Sequence, residues 1–228
     1  MENDLEGKRR QASQASGGFS NGAIYDMVLA ALDRHGATGE VLDFGAGQGY
    51  FASLLRARGP FGKVVAADLM PRPGALAEGV DWLQTDLNDR MAVADGSFDT
   101  VTAVEVIEHL ENPRAMLREC FRILRPGGLL LLTTPNNESL RSFLNLLLRG
   151  HHAAFGDYSY PAHITALLRI DLLRASREAG FVGQSISYSD EGMVPGLTRW
   201  TWRRLSLGVA RGRMFSDNVM LACRRPES

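Results

Sequence analysis

The sequence predicts an α/β fold in which a mostly parallel sheet carries helices on both faces. Three observations point there. Apolar runs of five to seven residues alternate with stretches whose apolar side chains recur at helical spacing. Short breakers containing glycine or proline separate them. The 228 residues, 45% of them hydrophobic, supply one core of ordinary size without help from disulfides.

The elements follow in order. Met1–Gly18 is polar, so residues 1–20 read as a flexible tail ahead of a single domain over 21–228. Ala23–His35 puts Ile24, Met27, Val28, Ala31 and Leu32 on one helical stripe, and Gly36 stops it. Glu40–Phe44 (EVLDF) is a buried-strand run that feeds the turn Gly45-Ala46-Gly47-Gln48-Gly49. Tyr50–Arg58 returns to helical spacing and ends at Gly59-Pro60. Lys63–Asp68, Val80–Gln84 and Phe98–Val104 are the next three strands. Asn112 caps a helix that Pro113 opens, with a buried stripe of Met116, Leu117, Cys120, Phe121 and Leu124. Pro126-Gly127-Gly128 ends it, and Leu129–Thr134 is the fifth strand. Further on, Ser139–Leu148 and Ile170–Ala179 read as helices, Phe181–Ser187 and Asn218–Arg224 as closing strands. No repeat or low-complexity block interrupts them.

Composition excludes several functions. Lys and Arg number 25 against 26 Asp and Glu, a net charge of −1. Such a chain lacks the basic field of most nucleic-acid binders, and no nucleic-acid partner is expected. Cys120 and Cys223 lie far apart and form no CxxC, so they read as buried thiols in a reducing compartment. The N-terminus has no apolar core of a secretory signal, and no run approaches the roughly 20 residues that span a bilayer. The reading is a cytoplasmic protein.

The chemistry-bearing feature is the first strand–turn–helix. In open α/β sheets, ligands bind beyond the carboxyl ends of the strands. Glycines let the backbone approach such a ligand, and the next helix offers free N–H groups. A dinucleotide fingerprint needs glycine where Tyr50 stands, which disfavours an NAD-dependent oxidoreductase. The pattern here is Asp43-x-Gly45-x-Gly47-x-Gly49, with Asp68 ending the second strand and Asp86 following the third. A carboxylate at Asp68 can accept both hydroxyls of a ribose, and one at Asp86 can accept an adenine amino group. Three acids at successive strand ends outline an adenosine pocket without a pyrophosphate clamp.

Five segments, VLDFGAGQGYFASLL, VVAADLM, QTDLND, FDTVTAVEVIEHLENP and LRPGGLLLLTTPN, resemble the successive motifs of class I S-adenosylmethionine-dependent methyltransferases. The resemblance is dense over Glu40–Asn136 and looser through HITALLRIDLLRASREAGF and FSDNVMLACRRP. It implies a Rossmann-like seven-stranded sheet with the last strand antiparallel, and S-adenosylmethionine as cofactor. By position it implies that Asp43, Gly45, Ala46 and Gly47 hold the methionine end and that Asp68 holds the ribose. Leu69 and Met70 would pack on the adenine, Asp86 and Leu87 would meet its amino edge, and Glu105 would lie beside the methionine end. The expected reaction is methylation of a small molecule, at a hydroxyl of a quinone-, glycan- or lipid-linked metabolite.

A hydroxyl nucleophile needs a base, and His109 in Glu105-Val106-Ile107-Glu108-His109 is the candidate, with Glu105 and His163 beside it. The alternative is that His109 and Glu108 brace the loop before Asn112. Glu105, Glu108, His109 and His163 also resemble the metal site of small-RNA 3′-terminal 2′-O-methyltransferases, which gives a metal-dependent RNA enzyme as a rival reading. A catalytically silent cofactor-binding subunit is another. The expectation adopted is a small-molecule enzyme without a metal.

Two insertions should select the substrate. One, around 136–165, holds Phe155, Tyr158 and Tyr160, which could wall a pocket. The other lies around 190–215. Its Met193–Phe215 segment has arginines 199, 203, 204, 211 and 213 and no acid, interleaved with Trp200, Trp202, Leu205, Leu207 and Val209. It reads as an amphipathic helix covering the sheet edge, and as a candidate peripheral contact with a lipid carrier or the inner face of the membrane. RSFLNLLLRG at 141–150 and the FSDN run look similar to methyltransferases of glycan and quinone pathways.

Overall fold

The computed structural model describes residues 2–228. Seven strands form one sheet: β1 (Gly39–Phe44), β2 (Phe61–Asp68), β3 (Val80–Gln84), β4 (Phe98–Val104), β5 (Leu124–Pro135), β6 (Val182–Tyr188) and β9 (Asn218–Arg224). Their order is β3-β2-β1-β4-β5-β9-β6. β3, β2, β1, β4 and β5 are parallel neighbours, and β9 runs antiparallel between β5 and β6. The order reverses beside β1, so the turns after β1 and β4 open onto one crevice.

Alternation along each strand divides the core between the two faces. Val41, Val64, Leu129 and Leu131 pack under α2 (Gly22–Arg34) and α3 (Tyr50–Arg58), against Ile24, Val28, Phe51 and Leu55. Leu42, Val65, Leu130 and Leu132 face the other way, onto Met116, Leu117 and Cys120 of α4 (Pro113–Ile123) and Leu172 of α6 (Arg169–Glu178). Local signals set the helix starts. Asn21 accepts from the Ile24 N–H, and Asn112 from the Ala115 N–H with Pro113 in the first turn. The helix predicted through Leu124 stops at Ile123, because the chain enters β5 directly.

Two further expectations differ from the structure. Residues 2–15 form a helix, α1 (Glu2–Ala15), where a flexible tail was expected. Its Arg9 pairs with carboxylates far along the chain, contacts that local polarity cannot reveal. The expected amphipathic helix over 193–215 is instead a hairpin of β7 (Met193–Val194) and β8 (Leu197–Thr201), then the one-turn α7 (Trp202–Leu205) and a loop. Pro195-Gly196 turns the chain and Gly208 and Gly212 take positive φ, which breaks any longer helix. After β5 comes α5 (Leu140–Arg149), capped by Ser139. Among the described residues no helix is long and apolar enough to cross a membrane.

Candidate active site

The carboxyl ends of β1, β2 and β4 open into a cleft of about 530 Å³. Asp43, Gly45, Ala46, Gly47, Asp68, Leu69, Asp86, Leu87, Glu105, His109 and His163 all line it. Met70 does not. The chain turns after β2, so its backbone N–H donates to Asp68 and its carbonyl accepts from Trp82.

The glycine turn is tight. A Cβ on Gly45 would lie 2.4 Å from Val106 Cγ2, and one on Gly47 would lie 2.6 Å from the Gly18 carbonyl oxygen. Both have positive φ, so only glycine fits without strain. The Gly47 N–H donates to Asp68 Oδ2 at 2.8 Å, and Met70 N–H donates to Oδ1 at 2.9 Å. Asp68 therefore presents a carboxylate held rigid by backbone, each oxygen keeping a lone pair for a ligand. Burial pushes its carboxyl above the usual range, against those donors.

Asp43 is buried, and its Oδ1 accepts from Thr102 Oγ1 at 3.2 Å. Its Oδ2 has no hydrogen-bond partner. Burial, with help from Asp68, pushes the Asp43 carboxyl up to about 7. Glu105 sits in the left-handed region at φ 57, and its side chain reaches the ends of β5 and β9. Its oxygens accept from Thr133 Oγ1 at 3.2 Å and Asn218 Nδ2 at 3.0 Å. Burial and Glu108 hold the Glu105 carboxyl well above its ordinary range. A cleft that makes several carboxylates costly to ionise favours a cationic guest.

The turn Ile107–His109 brings two imidazoles together. The Glu108 carbonyl accepts from the N–H groups of both Ile164 and Thr165, which draws the 160–165 loop onto the turn. His109 and His163 then meet edge to face with ring centroids 4.8 Å apart, and Phe155 packs on His163 at 5.4 Å. His109 Nδ1 lies 2.8 Å from the Ala162 carbonyl and His163 Nδ1 lies 2.7 Å from that of Ala154. A carbonyl only accepts, so each Nδ1 carries the proton and each Nε2 keeps its lone pair in the neutral ring. Burial lowers both histidines below their ordinary value. Glu108 is fully buried; Oε2 accepts from Thr134 at 3.0 Å, while Oε1 has no partner. Burial pushes its carboxyl up to about 8.

Glu108, His109 and His163 offer ligand atoms within 4.8 Å of one another, the spacing of a divalent-ion site. Glu105 stands outside that group, committed to Thr133 and Asn218.

Several cleft residues escaped sequence reading. Arg9 reaches across the cleft mouth: Nη1 lies 2.8 Å from Asp86 Oδ2, while Nε and Nη2 meet Glu111 at 3.0 and 2.9 Å. The other Asp86 oxygen accepts from Asn88. An adenine amino group therefore reaches Asp86 only by sharing or displacing Arg9. Phe19, Tyr25 and Asn218 also line the cleft, and no local signal marks them as such. Of the expected aromatic wall, Tyr160 is present; Tyr158 is exposed and donates to the Ala153 carbonyl.

The residues fit S-adenosylmethionine. Asp68 suits ribose hydroxyls, the Cβ-free turn suits a close amino-acid tail, and the unpaired Asp43 Oδ2 suits positive charge nearby.

Residues 18–186 match a family of methyltransferase domains. The ubiquinone biosynthesis O-methyltransferase of Xanthomonas oryzae pv. oryzae is 36% identical over 161 residues, 63% of this chain and 65% of that protein. The chain thus matches just under two thirds of that relative's length. Among solved structures, the S-adenosylmethionine-dependent methyltransferase of Thermotoga maritima has a TM-score of 0.64 at 19% identity, covering 89% of this chain and 91% of that one. One from Archaeoglobus fulgidus has a TM-score of 0.62 at 18% identity, covering 88% and 94%.

Proposed function

Because this chain belongs to the methyltransferase domain family, we propose that it moves a methyl group from S-adenosylmethionine to a hydroxyl of a small quinone-, glycan- or lipid-linked metabolite. Bound in the cleft, the cofactor supplies an electrophilic methyl carbon on a sulfonium. The chain's own part is to grip, align, exclude water and take a proton. Asp68 holds the ribose hydroxyls, and the 45–49 turn lets backbone close on the amino-acid tail. Alignment of this kind contributes up to roughly 7–11 kcal/mol. α1, lying over the cleft mouth through Arg9, keeps water out.

His109 is the base. Its Nε2 accepts the hydroxyl proton while the Ala162 carbonyl, on Nδ1–H, and the charge of Asp68 favour the resulting imidazolium. A positioned base of this type is worth roughly 10²–10⁴ in rate. Glu105 and His163 position the acceptor beside it. The observation that carries the reading is this lone pair on the same cleft as Asp43 and Asp68. The name of the Xanthomonas relative, an O-methyltransferase, supports a hydroxyl acceptor. Calorimetry with S-adenosylhomocysteine and transfer of labelled methyl onto a panel of catechols test it. Binding and transfer are expected; absence of binding overturns the reading.

A second reading is favoured by the orphaned Glu108 Oε1 and by the ligand atoms that Glu108, His109 and His163 offer within 4.8 Å of one another. A divalent ion held by Glu108, His109 and His163 would act as a Lewis acid toward the acceptor hydroxyl. Metal analysis of protein purified without chelator decides: stoichiometric metal lost in His163→Ala supports it. The arginine-rich 193–215 segment is the proposed contact with a lipid surface or lipid carrier.

A further inference from the structure

The helix α5 is amphipathic the wrong way round for a covered helix. It buries Ser142, whose hydroxyl meets His152 Nδ1 at 2.9 Å, and Asn145 bonds to His151. Phe143, Leu147 and Leu148 point to solvent, at 57%, 70% and 78% exposure. A helix normally turns its leucines inward, and a cluster of outward ones marks a surface that something covers. α5 packs against the turn Arg213–Phe215, at the end of the basic insertion. That insertion has its own apolar tips, Leu207 at 95% and Val209 at 84% exposure. Residues 140–156 and 193–215 together contain seven arginines and no acidic residue. Arg149, Arg199, Arg204 and Arg211 have no carboxylate partner among the described residues.

We infer that α5 and the 197–211 segment form one docking surface for an anionic phospholipid bilayer. Leucines enter the interface while the guanidiniums that lack a carboxylate partner meet lipid phosphates. The inference deepens the proposed lipid contact of 193–215 and rests on it. Charge selects this occupant: a second copy of the same arginine-rich face would repel its twin. The chain runs from α5 through 150–159 to Tyr160 and Pro161 in the cleft wall, so docking sets the cleft entrance near the bilayer, where a lipid-linked acceptor resides.

Sedimentation with phosphatidylcholine vesicles, with and without phosphatidylglycerol, tests this. Binding should require phosphatidylglycerol and weaken as salt rises. Leu147→Glu with Leu148→Glu should lower the affinity more than about tenfold. Arg199→Ala with Arg204→Ala should lower it about fivefold per arginine and flatten the salt dependence. Equal affinity for both vesicle types, no binding to either, or affinity unchanged in both variants overturns the inference. So does a dimer in light scattering that the leucine variant dissociates. Calorimetry with S-adenosylhomocysteine on the same proteins separates this from the methyltransferase reading: wild type that binds vesicles but not that ligand keeps the surface and loses the enzyme.

Discussion

The carboxyl edge of β1–β4 and the insertions after β5 follow opposite rules. At the edge, Asp43 and Asp68 come from strand ends, and strand register leaves them little freedom: Asp43 pairs in register with Ala66 and Thr102, and Asp68 with Gln84. In the insertions, polar side chains such as Ser142 turn inward and leucines turn out. The difference teaches that, under the proposed function, the sheet would grip the cofactor, whereas acceptor choice and location would be written in the surface hung upon it.

Changing the edge should do most. Asp68→Ala should weaken S-adenosylhomocysteine by on the order of 100-fold in calorimetry, since it removes a rigid acceptor for two hydroxyls. Near-native affinity would break the comparison at its root.

His109→Gln comes next. Methyl transfer should fall by roughly 10²–10³ while S-adenosylhomocysteine affinity stays within about threefold. Equal losses in rate and affinity would make His109 a brace rather than a base.

Asp43→Asn sharpens the electrostatics. Burial raises this carboxyl from its ordinary 3.8 to about 7, so the folded state holds the proton more tightly than the unfolded chain. Between those values the unfolded chain binds fewer protons, and stability from this group falls as pH climbs from about 4 to 7. The variant should lack that decline and gain, relative to wild type, on the order of a few kcal/mol above pH 7 in thermal or urea melts. Parallel pH profiles for the two proteins would refute the burial cause.

The smallest effect belongs to the cover. Arg9→Ala removes ion pairs that are largely side-chain buried at Arg9 but open at Glu111, so S-adenosylhomocysteine should leave only several-fold faster in stopped flow. A loss as large as that of Asp68→Ala would put α1 on the same footing as the edge.

Much of the edge was legible because its signals are local. Alternation in Val41-Leu42 and Leu129–Leu132 assigns sheet faces, Asn112-Pro113 marks a helix start, and the glycine spacing marks a tight turn. Met70 lies off the cleft lining, on a turn after β2 whose backbone bonds to Asp68 and Trp82 no local pattern announces. Segment 193–215 was misjudged because interleaved tryptophans and arginines suit helix and hairpin alike until Pro195-Gly196 folds it.

Sequence alone settled the seven-stranded sheet, the helices α2 to α6 and the acids that follow its strands, because periods of two and 3.6 residues report on neighbours in the chain. Only the tertiary structure decided that Arg9 reaches Asp86, that the Glu108 carbonyl seats His163 beside His109, and that α5 turns its leucines outward. Those contacts join segments distant along the chain, and their free energy comes from packing and ion pairing that no local pattern encodes.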